Sequence, residues 1–368
     1  MAARSTPALL GKRALNRALL ARQFLLRRTV LSPLAVIEHL VGMQSQNPMP
    51  PYVGLWTRLE KFEAEQLSSL VLERKVVRIA LMRATIHLVT AGDCRGLRRT
   101  LQPVLQRHVK FAFANSEVGE AERLAEHASA LVRERPRTWA ELGALLSVRW
   151  PGITTDALAR AVRSLLPLVQ VPPRGLWASS GPAVHTTADH WLGAAPSPDV
   201  PIETIVRRYL AAFGPATVND VQAWSGLTRL REVLARMKPE LLVFRDDAGG
   251  ELFDVTDAPR PDANAPAPPR FLPEYDNLLL GHADRSRIVA SVHRSAVYSR
   301  NGIISSTVLV DGFVGATWKI ATRHERATLS ITPLVRIVKR DRAVIAEEGE
   351  RLLQFVAPDA KAHEVTFP

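Results

Sequence analysis

Two stretches of the chain repeat one another in their order of apolar and polar positions. Leu158, Val162, Leu165 and Leu166 fall on one face of a predicted helix, and Leu230, Leu234 and Met237 do so further along. Ahead of each face stands a threonine followed three residues later by an acid, Thr138 with Glu141 and Thr217 with Asp220, the capping-box spacing that opens an earlier helix. Between them lie Trp150-Pro151-Gly152-Ile153-Thr154 and Trp224-Ser225-Gly226-Leu227-Thr228. A glycine before a threonine predicts that one helix stops and the next begins on a threonine cap. Each second helix runs into a short apolar strand, Leu168 to Val171 and Leu241 to Phe244. The latter turns through Asp246 to Gly250 into Leu252-Phe253-Asp254-Val255. Helix, turn, helix, hairpin is the winged-helix plan, and it occurs twice.

A more diverged copy lies upstream. Ser32-Pro33 caps a helix over Leu34 to Val41, and Gly42 stops it. A turn through Gln44-Ser45-Gln46-Asn47-Pro48 leads to a second helix carrying Leu55, Leu59 and Phe62, with a wing between Val76 and Val89. Before this copy, Arg4 to Arg28 form a basic amphipathic first helix; after it, Arg95 to Arg133 are helical without a clear assignment. Beyond Arg270 the pattern turns to strands, over Arg287 to Val297, Gly302 to Val310, Phe313 to Ile320 and Ala327 to Val338. Asp311-Gly312 marks a hairpin, and a helix follows from Arg342 to Phe355. The expected fold is α+β: three tandem winged-helix units followed by a C-terminal β-barrel-like domain. The expected boundaries are 1–133, 134–198 and 199–258 for the units, 259–269 for a Pro/Ala-rich linker, and 270–368 for the barrel.

Charge narrows the partner. The 368 residues hold 48 Lys+Arg against 36 Asp+Glu, a net charge of +12, and the pI is near 10.5. Arginine dominates the positive side, and its planar fork suits phosphate. Such a surplus favours a polyanion, nucleic acid ahead of an anionic membrane surface. A single cysteine, Cys94, excludes an intramolecular disulfide and any multi-cysteine metal site. It fits a reducing, cytoplasmic setting, and no run of residues is apolar enough for a membrane span. Glycine-rich phosphate loops, His-Glu-x-x-His pairs and nucleophile elbows are missing, and ten histidines are scattered without ligand spacing. No metal or cofactor is expected. His87, among the wing strands, reads as structural.

Gln44 and Gln46 stand out, since residues two apart point the same way in extended chain. Around them the sequence resembles the AlkZ and YcaQ winged-helix DNA glycosylases. The likeness is carried by Leu15 to Gln23, Gly42-Met43-Gln44-Ser45-Gln46, Arg83 to Leu88, Gly214-Pro215-Ala216-Thr217, Leu278 to His282 and Val310 to Gly315. It implies three winged-helix units and a β-barrel forming a basic cleft around duplex DNA. It also implies a catalytic glutamine–any residue–glutamine motif, which Gln44 and Gln46 match. The middle residue is often aliphatic in that family; Ser45 departs from this at a position expected to face away from the pair. The implied reaction is monofunctional hydrolysis of the N-glycosidic bond of bulky or crosslinking N7-alkylpurines, by a monomer protecting its host against a DNA-alkylating natural product. A purine alkylated at N7 is already cationic and leaves with little acid assistance, so two amides that orient water suffice. No lysine near the motif offers a Schiff-base nucleophile. Arg285, Arg287, Arg300 and Arg323 are the candidate phosphate contacts, with His282 beside the first of them. The competing reading is a winged-helix transcription regulator or another non-catalytic DNA binder. Against a regulator stand the mildly basic second helices and three units on one chain.

Overall fold

In the computed structural model the described residues are 7–109, 120–193 and 199–368. A first helix, α1 (Lys12–Arg22), precedes a unit of six elements: α2 (Pro33–His39), β1 (Met43–Gln44), α3 (Pro50–Trp56), α4 (Ala64–Leu72), β2 (Val76–Ala80) and β3 (Ile86–Thr90). Helices α5 (Ala91–Thr100) and α6 (Gln102–Val109) follow. The same order returns in α7 (Glu120–Glu134), β4 (Arg137–Thr138), α8 (Trp139–Arg149), α9 (Thr155–Leu165), β5 (Leu168–Val171) and β6 (Val184–Thr187). After α10 (Ala188–Leu192) it appears again in α11 (Ile202–Phe213), α12 (Val218–Ser225), α13 (Leu230–Met237), β7 (Leu242–Arg245) and β8 (Glu251–Asp254). There the short strand shrinks to one residue, Ala216, which exchanges two backbone hydrogen bonds with Phe253 (3.0 and 2.8 Å).

Local chemistry explains the helix starts. In α8 the Glu141 N–H donates to Thr138 Oγ1 (3.2 Å) while the Thr138 N–H donates to Glu141 Oε2 (2.8 Å). Thr217 and Asp220 repeat the exchange at 2.9 and 3.1 Å. Thr154 caps α9 through the Ala157 N–H, 3.3 Å away. Thr228 does not cap α13. The residue before that helix is Arg229, in a left-handed conformation, and the Leu230 N–H is met by Gln222 Oε1 at 3.1 Å.

The upstream copy is corrected by one helix. Its serine cap opens the first helix of the unit, whereas the threonine boxes open the second helix of theirs. Matching cap with cap therefore slipped the alignment. Leu59 and Phe62 lie beyond the end of α3, and α4 was unseen. The glutamine pair begins on the short strand β1 and continues just past it, rather than lying in a helix–helix turn.

The first two units share one sheet, in the order β1-β3-β2-β5-β6-β4. Strands β2 and β5 join antiparallel, Arg78 opposite Gln170 and Ile79 opposite Val169. Counted outward from that seam, each half runs first hairpin strand, second hairpin strand, short strand. The C-terminal region holds β9 (Arg270–Leu272), a short helix α14 (Arg294–Val297), β10 (Thr307–Val310), β11 (Phe313–Arg323), β12 (Arg326–Pro333), α15 (Lys339–Val356) and β13 (Ala362–Thr366). Its sheet, ordered β13-β12-β11-β10-β9, stays open, so the expected barrel is corrected to a five-stranded sheet. Ile345, Leu352 and Leu353 of α15 share its apolar core, filling the side that a closing wall would occupy. Arg287 to Val297 is not a strand. The Ile288 and Val289 N–H groups both turn back to the Arg285 carbonyl, and the stretch ends in α14, neither of which a strand allows.

Helix α1 packs far from its sequence neighbours. Arg22 and Asp254, both fully buried, form a two-pronged ion pair (2.6 and 2.8 Å). Asn16 donates to the carbonyls of Arg287 and Gly312, and Arg17 pairs with Asp311. The proline-rich stretch 259–269 lies along this helix: the carbonyls of Pro259, Ala263 and Ala265 accept from Arg22, Arg13 and Arg17. Among the described residues no helix is long and apolar enough to cross a membrane.

Candidate active site

Gly42 ends the first unit's opening helix with φ +91° and sends the chain into β1. A Cβ there would sit 2.5 Å from Val89 Cγ1, so the close approach of β1 to β3 needs glycine. Gln44 lies opposite His87 in the antiparallel register, and the Ser45 N–H donates to the Ile86 carbonyl at 2.8 Å. Ser45 turns inward, where Arg78 donates to its hydroxyl (3.0 Å) and to its carbonyl (2.7 Å). Gln44 ends β1, and Gln46 follows at a bend just past it.

Each glutamine is oriented by a donor. Arg83 Nη2 donates to Gln44 Oε1 at 2.7 Å, and the Ile86 N–H donates to Gln46 Oε1 at 2.9 Å. A donor on each oxygen fixes which end of the amide is which. Among the described residues neither amide nitrogen has a protein partner, and Gln46 is exposed while Gln44 is 7% exposed. The arrangement offers two NH2 donors and one further lone pair on each oxygen, which is what a hydrogen-bonded water requires. The backbone beneath is held too: the Gln44 N–H donates to Asn277 Oδ1 (3.1 Å), whose amide returns a bond to the Gly42 carbonyl (2.6 Å).

Arg83 stands on the β2–β3 turn with φ +55°, its second arm on the Trp224 carbonyl of the third unit. Gly226 admits that approach; a Cβ there would be 2.8 Å from Val104 Cγ1 and 3.1 Å from the Arg83 nitrogen. Burial, and then the charge of Arg285, lower the Arg83 guanidinium to about 10, so it stays cationic at neutral pH. His87 is neutral, pushed down to about 3 by burial and by Arg83. Its Nδ1 lies 3.0 Å from the Thr85 carbonyl, which makes Nδ1 the donor and leaves Nε2, 3.4 Å from Arg83, as acceptor. His87 thus sits neutral between the Thr85 carbonyl and Arg83. A small hollow beside Gln44 is lined by Met43, Pro50, Pro273 and Glu274. Pro50, Pro273 and Glu274 also line a groove of about 730 Å3 that extends past Asn47 to Trp318, Lys319 and Ile320 of β11.

The basic candidates divide. Arg285 is half-buried, its guanidinium 4.5 Å from the Tyr298 ring centre, and near enough to depress Arg83. Arg300 and Arg323 are exposed, the latter at the end of the β11–β12 hairpin. His282 and Arg287 are corrected to interior residues. His282 is buried against the Phe213 carbonyl at 3.1 Å and kept neutral by burial and by Arg287. Arg287 donates to the Pro215 carbonyl (2.8 Å) and lies 3.8 Å from Asp220. Sequence reading missed Arg78, Arg83 and Asn277. Arg83 opens one of the stretches that carry the family likeness, but only its place on a turn between paired strands gives it a task. Among the described residues, no cluster of three or more His, Cys, Asp or Glu is arranged to hold a metal ion.

A repeated helix–strand–helix–helix–hairpin scaffold thus carries the two carboxamides beside a groove. The chain belongs to the AlkZ-like DNA glycosylases, whose family profile matches residues 37–355. It is 28% identical over 357 residues to the interstrand DNA cross-link repair glycosylase of Streptomyces sahachiroi, covering 88% of this chain and 93% of that protein. In three dimensions it is similar to the Streptomyces sahachiroi DNA glycosylase AlkZ, with a TM-score of 0.80 at 21% identity, over 98% of this chain and 100% of that one. The protein is an enzyme that hydrolyses N-glycosyl bonds of DNA.

Proposed function

We propose that this glycosylase excises bulky or crosslinking N7-alkylpurines from duplex DNA, with Gln44 and Gln46 holding the water that attacks C1′. The observation that carries the proposal is the fixed orientation of the two carboxamides, each oxygen held by a donor and each NH2 left for a ligand. The N7-alkylated base supplies its own positive charge, so bond cleavage needs a placed water more than a strong acid. The long groove past Asn47 gives room to a lesion too large for a closed base pocket. The relative from Streptomyces sahachiroi repairs interstrand crosslinks by its name, and a similar substrate here accords with that groove. Three winged-helix units on a chain of net charge +12 suit a monomer that wraps the duplex. Arg285, Arg300 and Arg323 would contact its phosphates. Protection of the host against a DNA-alkylating natural product is the role that fits such a substrate.

The test uses purified protein and duplexes carrying one N7-methylguanine or one nitrogen-mustard crosslink between guanine N7 atoms. Abasic sites should form. Gln44→Ala and Gln46→Ala should each slow base release about 100-fold while leaving duplex affinity within about threefold. Tight binding with no base release by the unaltered protein would overturn the N7-alkylpurine substrate and point to a different modified base.

A further inference from the structure

The glutamine pair is neutral, and the charged side chains bonded to the motif, Arg83 on Gln44 and Arg78 on Ser45, are positive. Departure of a purinium leaves a cation at C1′, so the site as described so far has no charge of the required sign. The lining of the hollow and the groove contains two carboxylates, Glu274 and Asp276. Asp276 is committed: Arg58 donates to both its oxygens at 2.8 Å, and both side chains are buried. Glu274 is half-exposed and, among the described residues, has no ion pair or hydrogen-bond partner. It is common to both spaces, the one that Gln44 lines and the one that runs along β11.

The turn that carries Glu274 is held in place. The Asp276 N–H closes it on the Pro273 carbonyl at 3.3 Å, and Tyr275 takes the left-handed φ of +58°, a conformation costly for a tyrosine. Asp276 is clamped by Arg58, while the next residue, Asn277, accepts from the Gln44 backbone. The backbone that carries Glu274 is therefore tied to that of Gln44 through Asp276 and Asn277.

From these observations we infer that Glu274 is the catalytic carboxylate of the reaction proposed above, and the inference rests on that reading. The C1′–N9 bond breaks with its electron pair passing to the purine, which leaves neutral. The carboxylate offsets the charge formed at C1′. A water held by the amides adds its oxygen to C1′, and its proton passes to Glu274 and then to solvent. The products are the free alkylpurine and an abasic site.

The test is single-turnover release of base from the N7-alkylguanine duplex, with binding measured separately. Glu274→Gln should lower the cleavage rate about 100-fold with affinity unchanged or tighter, because a negative charge near phosphate is lost. Glu274→Asp should keep part of the rate, and added formate should partly restore Glu274→Ala, a rescue that a merely structural residue does not show. A Glu274→Gln rate within about threefold of the unaltered enzyme, or a loss in Glu274→Ala that formate leaves unchanged, overturns the assignment. Base release by the unaltered enzyme, slowed about 100-fold in Gln44→Ala, keeps the two readings apart: with it in hand, a normal Glu274→Gln removes only the carboxylate.

Discussion

Ser45 illustrates how a residue's neighbours decide its role. Alternation along extended chain placed it away from the glutamines, and it is buried against Arg78. A hydroxyl in that position accepts a bond that an aliphatic side chain would forgo. The glutamine pair was legible as a motif because its spacing is local, whereas the bend at Gln46 was not. Burial of His282 and Arg287 was not, since it depends on Phe213, Pro215 and Asp220, about 70 residues away in sequence. Neutral buried histidines have a consequence for stability. His87 and His185 are held down at about 3 and about 4, chiefly by burial, and in an unfolded chain both titrate near 6.5. Between those values the unfolded state binds more protons, so stability rises with pH and is lost on acidification below about 6.5. Thermal melts should show Tm falling from about pH 7 to pH 4.5, and less steeply in a His87→Gln, His185→Gln double variant. Parallel slopes would show that other groups govern the acid limb.

At the scale of elements, caps were the dependable signal and their alignment the weak one. Thr138 and Thr217 sit in the exchanges their spacing predicts, because a capping box is complete within four residues. Thr228 carries the same sequence signature, yet Gln222 performs its task from the preceding helix. Thr138→Ala should therefore cost about 1 kcal/mol in chemical denaturation. Thr228→Ala should change stability by less than about 0.5 kcal/mol. Equal losses would contradict the assignment of the cap to Gln222. The short strands were illegible: β1 and β4 span two residues each, too few for any period to declare itself. The C-terminal strands were read correctly where a hairpin joined them. Asp311 and Gly312, with φ of +47° and +81°, supply the turn that their sequence promised. Whether that sheet closed depended on α15, which no strand pattern describes.

At the scale of the whole molecule, the helix–turn–helix and hairpin recurrence was visible along the chain, and the fusion of two units into one sheet was not. Strands β2 and β5 are apolar like any hairpin strand, and nothing local marks them as partners. The same holds for α1, whose arginines have carbonyl and carboxylate partners near the other end of the sequence. Replacing Arg22 with Met leaves Asp254 in the core with Arg260 as its remaining ion-pair partner. The loss should be about 3 kcal/mol, read from the urea midpoint. A shift below about 0.5 kcal/mol would mean that solvent reaches Asp254.

The bridge from Arg13 to Asp311 spans 298 positions. At least that much of the polypeptide is synthesised before the opening helix can complete its contacts. Until then Arg13 and Arg17 lack their shared carboxylate, and the Gly312 carbonyl lacks the donor that Asn16 supplies. The opening helix, among the first elements to be made, thus waits for most of the chain before all its partners exist.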